Sequence, residues 1–474
     1  MAHLLVLAGE PQAQADQDAA ATMKIETALA TASLTRVERR DPYNLYHPMK
    51  IDAVDTLVPA LELSAYLNEE HVPDATLSNV DVAQPKFLAA LQTELANEPL
   101  ENLKAYLRIH ALNGAADALS DNFADARFDF YSKYLRGVPQ MPARWKRCEG
   151  QVDRYLGEAL GQEFVARNFS PVTRQKALAM TEQIEQAMQH EIENLDWMSP
   201  ATKQQAIAKL HVVQNKIGYP DKWRDYSSLT VERNDYFGNL QRAHVFDEKR
   251  NWGKVGKPVD RNEWFMTPPT VNAYYDPQMN NINFPAGVLQ PPLYDPKEDD
   301  APNYGDTGGT IGHELTHAFD DEGRQFDGQG NLRDWWTPDD AKGFEEHISC
   351  LRDQFAGYII VDDIHINSKL TSGEDTADLG GTLLAYLAWK KQTASMHLES
   401  KDGFTPDQRF FIGYAQWACE NERPQNLRVS AITNPHSPGK YRVNGIVSDL
   451  PQFANAFGCK VGQPMVSAKV CKIW

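Results

Sequence analysis

Residues 313–317 read His313-Glu314-Leu315-Thr316-His317. On a helix the i, i+4 spacing sets both imidazoles on one face. Two neutral imidazoles one turn apart can grip a single Zn²⁺, and Glu314 stands beside them as a candidate general base. The flanks support a helix here. Upstream, Gly305-Asp306-Thr307-Gly308-Gly309 offers Asp306 or Thr307 as an N-cap, with glycines that permit close approach. Downstream, Asp320 or Asp321 can accept the second ring N–H of a ligating histidine and so fix its tautomer. Gln329-Gly330-Asn331 then reads as a turn, and Thr337-Pro338-Asp339-Asp340 as the start of another helix.

Zinc hydrolase chemistry needs a third protein ligand and one open coordination position. Gly373-Glu374-Asp375-Thr376-Ala377-Asp378-Leu379-Gly380-Gly381 supplies the candidate. Glu374 and Asp378 are again i, i+4, so that Glu374 can ligate while Asp378 orients a ligand or a neighbouring arginine. In a chain with 65 Asp+Glu, such a pair taken alone reads as solvated helix acids. The two glycines that follow point instead to close packing of this helix against another element.

The chain has 474 residues, 42% hydrophobic and 24% charged, an ordinary globular composition too long for one core, so two or more domains are expected. Lys+Arg 47 against Asp+Glu 65 gives a net charge of −18, which argues against a nucleic-acid partner. A solvated acidic surface accounts for it, with a mild preference for basic peptides as the functional alternative. No apolar run reaches the length needed to cross a bilayer, and residues 1–10 carry no basic region of a signal peptide. Helical periodicity is expected over residues 19–34, 85–96, 100–112, 123–134, 146–164 and 172–195. Residues 271–284 alternate enough for a short strand pair. Ile217-Gly218-Tyr219-Pro220 marks the expected boundary between a domain at 1–218 and a second at 219–474.

Several ordered blocks resemble the neprilysin-like family of zinc metallopeptidases, which includes bacterial oligopeptidase O. They are Val271-Asn272-Ala273-Tyr274-Tyr275, Phe284 to Pro292, Ile311 to Asp321, Asp334-Trp335-Trp336-Thr337, Gly373 to Gly381 and His436-Ser437-Pro438-Gly439-Lys440-Tyr441-Arg442, with Cys471-Lys472-Ile473-Trp474 at the end. The resemblance implies a mainly α fold: two largely helical domains enclosing a cavity, with a gluzincin-type catalytic domain and a small β-sheet. It implies one Zn²⁺ per chain held by His313, His317 and Glu374, and Glu314 as the base that activates the zinc-bound water. His436 matches the donor to the oxyanion. Arg442 matches the arginine that binds a substrate carbonyl and pairs with Asp378. Asn272 and Ala273 match the pair that hydrogen-bonds an extended substrate main chain.

The pocket for the residue after the scissile bond (P1′) maps onto Leu293, Thr310, Trp417 and Ala418, which suggests bulky apolar P1′ residues. Oligopeptides are the implied substrates, the N-terminal domain limits access, and the implied compartment is extracytoplasmic. Cys350 and Cys471 match positions that bridge to one another. Met1 aligns inside the family's N-terminal helical region, so the chain is expected to lack the front portion; Cys148, Cys419 and Cys459 would lose partners with it. An inactive or unstable truncated remnant is therefore the competing expectation. An aminopeptidase is weaker, because Asn272-Ala273-Tyr274-Tyr275 stands where that class carries a Glu-containing exopeptidase motif.

Overall fold

A computed structural model describes residues 1–474. The expected helices form with shifted ends: Gln12–Ala32, Pro85–Asn97, Leu100–Ala115, Arg144–Asn168 and Pro171–Asn194. The stretch at 123–134 divides into an α-helix, Asp121–Phe128, and a π-helical turn, Asp129–Tyr134. Proline at the first helical position and a hydroxyl cap explain several sharp starts. Ser170 accepts from the Thr173 N–H ahead of Pro171, and Thr337 accepts from the Asp340 N–H ahead of Pro338. No helix is long and apolar enough to cross a membrane.

The chain folds as two compact units, residues 1–149 with 225–259 and residues 150–224 with 260–474. This spatial division differs from the single cut expected at residue 218. The reason lies in the apolar faces of residues 150–224: Phe169, Met180, Ile184, Met188 and Ile192 are buried in the same core as the histidine-bearing helix. The first unit is held by smaller clusters, one around Leu5, Ala15 and Ile109 and another around Ile51, Val54 and Val58. Within it Arg108 pairs with Glu10, and Lys24 with Glu98.

In the second unit a three-stranded sheet has Asn281–Pro285 at its centre. Gln214–Gly218 lies parallel on one side, Gln214 opposite Asn281 and Gly218 opposite Pro285. Tyr274–Asp276 lies antiparallel on the other, with Tyr274 opposite Asn283. The expected strand pair is therefore present, with Tyr274–Asp276 as the edge strand.

Two helices define the interior. Gly309–Thr316 carries the histidine motif, and Ser368–Gln392 carries Glu374 and Asp378. They cross backbone to backbone. A Cβ on Gly312 would lie 2.5 Å from the Gly381 carbonyl oxygen, and one on Gly381 would lie 2.2 Å from the His313 nitrogen. The histidine helix does not begin at a cap on Asp306 or Thr307. Residues Asp300–Asn303, capped by Asp299, run through a π-helical turn, Tyr304–Gly308, directly into it. That correction leaves Asp306 inside a continuous helical run.

The turn after the motif is clamped by a buried lysine. Lys209 Nζ donates to the carbonyls of Ala318, Gly323 and Phe326 at 2.7, 2.7 and 2.8 Å. Burial pulls its pKa down to about 7 against the opposing charges of Asp320 and Asp327, while three carbonyl acceptors favour the ammonium form. The Cys350–Cys471 disulfide forms across a sequence separation of 121, and Cys148, Cys419 and Cys459 are free thiols.

Gly381→Ala should force the two helices apart, lowering stability by about 1–3 kcal/mol and weakening metal binding; denaturant unfolding and metal titration read both. Replacing Cys350 and Cys471 with serine should lower stability by about 2–4 kcal/mol, read as a fall in Tm that reductant reproduces in the native chain.

Candidate metal centre and cavity

The helix crossing brings three donors to one point. His313 Nε2 and His317 Nε2 stand 3.0 Å apart, and Glu374 Oε2 lies 3.2 Å from the first and 3.6 Å from the second. Tetrahedral zinc with Zn–N near 2.0–2.1 Å sets its ligands about 3.3 Å apart, so the spacing fits. His313, His317 and Glu374 form a group that could hold a metal ion.

Each ring is oriented from behind. His313 Nδ1 meets Asp378 Oδ1 at 2.7 Å, and His317 Nδ1 meets Asp320 Oδ2 at 2.6 Å. Such contacts make each Nδ1 a donor and aim each Nε2 at a cation. Of the two acids considered from sequence, Asp320 takes this place and Asp321 accepts from the Ser372 hydroxyl at 3.3 Å. Burial opposes charge on both rings, but Asp378 raises His313, and Glu374 with Asp320 raises His317 well above the ordinary range. Burial also raises Glu314, opposed by the neighbouring imidazoles.

Asp378 carries a second load. Arg442 Nε and Nη2 donate to its two oxygens at 2.7 and 2.8 Å. The guanidinium also stacks over Trp417, 4.4 Å from the ring centroid, and approaches Glu374 Oε2 to 4.0 Å. Despite its own burial, the Asp378 carboxyl is held low by Arg442 and His313. His436 reaches the same cluster, Nε2 at 3.2 Å from Glu374 Oε2, while its Nδ1 meets Asn434 Oδ1 at 2.9 Å.

All nine residues singled out from sequence line one cavity of about 510 Å³: Asn272, Ala273, His313, Glu314, His317, Glu374, Asp378, His436 and Arg442. Asn272 and Ala273 fall just before the edge strand rather than in it, and the Asn272 side chain accepts from the Ala273 N–H at 2.9 Å. Leu293, Thr310 and Trp417 also line this cavity. Ala418 does not; it lines an adjoining recess.

Two models described as Peptidase family M13 match residues 1–220 and 272–473. The chain belongs to peptidase family M13. The expectation that the N-terminal portion is missing is not borne out, since the first of these matches covers it. Endothelin-converting enzyme 1 of Mus musculus is 33% identical over 464 residues, 95% of this chain and 60% of the relative. The chain thus spans about 60% of the length of that curated relative. An endothelin-converting enzyme homolog of Locusta migratoria is 33% identical over 100% of this chain and 68% of its own length. The inhibitor-bound zinc metalloprotease Zmp1 of Mycobacterium tuberculosis superposes with a TM-score of 0.95 at 35% identity, covering 100% of this chain and 73% of that one. PepO of Lactobacillus rhamnosis superposes with a TM-score of 0.90 at 30% identity, covering 98% and 72%.

Two features were missed from sequence. Lys209 sits in an ordinary amphipathic helix pattern, with nothing local to show that three distant carbonyls converge on it. Asp306, read as a cap, lines the cavity at 3% exposure, and its Oδ2 has no hydrogen-bond partner. Burial alone pushes its carboxyl up to about 8. A carboxyl raised in the folded state stabilises the fold fully below its unfolded value, and that stability is lost as pH rises through about 8. Asp306→Asn should therefore raise Tm by a few degrees at pH 9 and much less at pH 5, measured by thermal melts across that range.

Proposed function

We propose that this chain is a zinc-dependent endopeptidase that hydrolyses internal bonds of oligopeptides. The observation that carries the reading is the convergence of two oriented imidazoles and a carboxylate beside Glu314, inside a cavity that also holds Arg442 and His436. In this reading His313, His317 and Glu374 hold one zinc ion, which supplies Lewis acidity to polarise the scissile carbonyl and ease deprotonation of water near neutral pH.

The chain's own groups do the rest. Glu314 takes a proton from the attacking water and passes it to the departing amine. Its burial suits the first of these transfers, because a carboxylate whose pKa is raised by its surroundings is a stronger base than an exposed one. His436 and Arg442 donate to the oxygen that gathers charge as the carbonyl becomes tetrahedral. Arg442 is held for this by its bidentate contact with Asp378 and by Trp417 beneath it. Asn272 and Ala273, leading into the edge strand, hydrogen-bond the main chain of an extended peptide. Reading main chain rather than side chains suits a peptidase of broad sequence tolerance.

As proposed for the N-terminal domain, residues 1–149 would restrict entry to short, flexible chains. The Cys350–Cys471 disulfide supports an extracytoplasmic site of action, since such bonds persist in oxidising compartments.

Purified protein is assayed on a quenched peptide blocked at its N-terminus, with and without a chelator. The native chain should cleave it, lose activity with chelator and regain it with Zn²⁺. Glu314→Gln should lower kcat by about three orders of magnitude or more while still binding one zinc, read by metal analysis. Peptides of increasing length should be cut progressively more slowly. A chain that binds no zinc, or cuts only free N-termini, overturns the reading.

A further inference from the structure

Within that peptidase reading, the cavity is lined by one buried acid, Asp306, that has no part in the catalytic scheme. Asp306 is 97% buried by its 3% exposure, lines the cavity, and leaves Oδ2 without a hydrogen-bond donor. Its position is fixed by the backbone around it. The Thr310 hydroxyl donates to the Asp306 carbonyl at 3.2 Å, and the Thr307 hydroxyl donates to the Leu293 carbonyl at 3.0 Å. Asp306 therefore shares a wall with Leu293 and Thr310, the residues expected to form the P1′ pocket.

An acid in such a place needs a reason. Burying a carboxyl without a donor is unfavourable by roughly 1–3 kcal/mol even when it stays neutral, and by more when it ionises. Other buried acids nearby have at least one partner: Asp320 has His317, Asp378 has Arg442, and Asp375, whose Oδ1 is likewise unpartnered, accepts from the Thr371 hydroxyl at 2.7 Å. No ion pair reaches Asp306, and burial is the sole influence on its titration. A partner brought in by the substrate would satisfy it, and a cation would do so best.

We infer that Asp306 is a specificity-determining residue that selects peptides carrying arginine or lysine at P1′, the basic side chain lying along Leu293 and Trp417 with its charged end against the Asp306 carboxylate. This departs from the apolar preference that Leu293 and Trp417 alone would suggest. A long aliphatic stem capped by a charge suits both parts of the wall. The carboxyl, neutral in the empty cavity at pH 7, ionises as the cation arrives and transfers its proton to solvent. A net charge of −18 draws the same class of peptide from a distance.

The test uses the full zinc-loaded chain and quenched peptides identical except at P1′, which is arginine, its neutral isostere citrulline, or leucine. Wild type should give kcat/KM at least tenfold higher for arginine than for citrulline. Asp306→Asn and Asp306→Ala should each bring that ratio close to one. The same pair is compared by fluorescence polarisation in the Glu314→Gln chain, where arginine should bind at least tenfold tighter and lose the advantage when Asp306→Asn is added. Equal handling of arginine and citrulline by the wild type overturns the inference, and so does a preference that survives in either variant. If nothing is cleaved yet the binding preference is present and depends on Asp306, the peptidase reading fails while the assignment of Asp306 stands. Should a variant not fold, the wild-type ratio alone decides, since a value near one sinks the proposal.

Discussion

The site depends on how closely two helices can approach. Glu374 and Asp378 reach the histidines only because Gly312 and Gly381 allow the backbones to touch, with no room for a methyl group on either side. Gly380 extends the same seam, where a Cβ would meet the Thr316 side chain and the indole of Trp474. Helix pairs with ordinary side chains between them stay 8–10 Å apart at their axes. At that separation a glutamate on one helix and imidazoles on the other would not share a single ion. The glycines set the ligand geometry before any ligand is considered.

Once the helices are that close, the interior must accommodate several charges away from water. It does so by sharing them. Asp378 serves His313 with one oxygen and Arg442 with both, so one carboxylate fixes an imidazole and a guanidinium together. Breaking a buried pair by removing one partner typically costs 3–5 kcal/mol, because the remaining charge is left uncompensated. Orientation of the first imidazole and placement of Arg442 are thus not independent. Lys209 plays a comparable part for the second. By gathering three carbonyls of the turn after the motif, it fixes the loop that carries Asp320, and Asp320 orients His317.

How much of this was legible in the sequence follows from the range of each interaction. The histidine motif, the Glu374–Asp378 spacing and the twin glycines are local patterns; the first two meet at one cavity, and the glycines pack against the histidine helix as expected. Helix limits were read within a few residues where proline and hydroxyl caps announce them, as at Pro171 and Pro338, and less well at Gln12, which has no side-chain cap. The assignment of residues 150–224 to the second unit and 225–259 to the first was not legible. Nothing local distinguishes a helix that buries Ile184 and Met188 in one core from a helix that serves the other. Lys209 escaped for the same reason, its acceptors lying 109 to 117 residues away. Asp306 was misread by a sound rule: an acid before a helical motif usually caps it. The rule failed because a π-helical turn carries the chain straight through, which removes the free N–H groups a cap would satisfy.

That failure bears on how the cavity divides its labour. Every acid that serves the histidines is tied to a donor, and such ties make their ionisation insensitive to what enters. Asp306 is tied to nothing, so its charge state answers to the occupant. On the proposal above, a cavity that fixes the charges around the histidines and leaves Asp306 without a donor would hold its chemistry constant while it discriminates among side chains. Fixing Asp306 with a neighbouring donor would have stabilised the empty fold, yet it would have left the carboxyl nothing to gain from an occupant. The unmet hydrogen bond is therefore a loss to the free protein that only a suitable partner can recover, and recovery of that kind is how a polar pocket rejects the analogue that lacks the matching group.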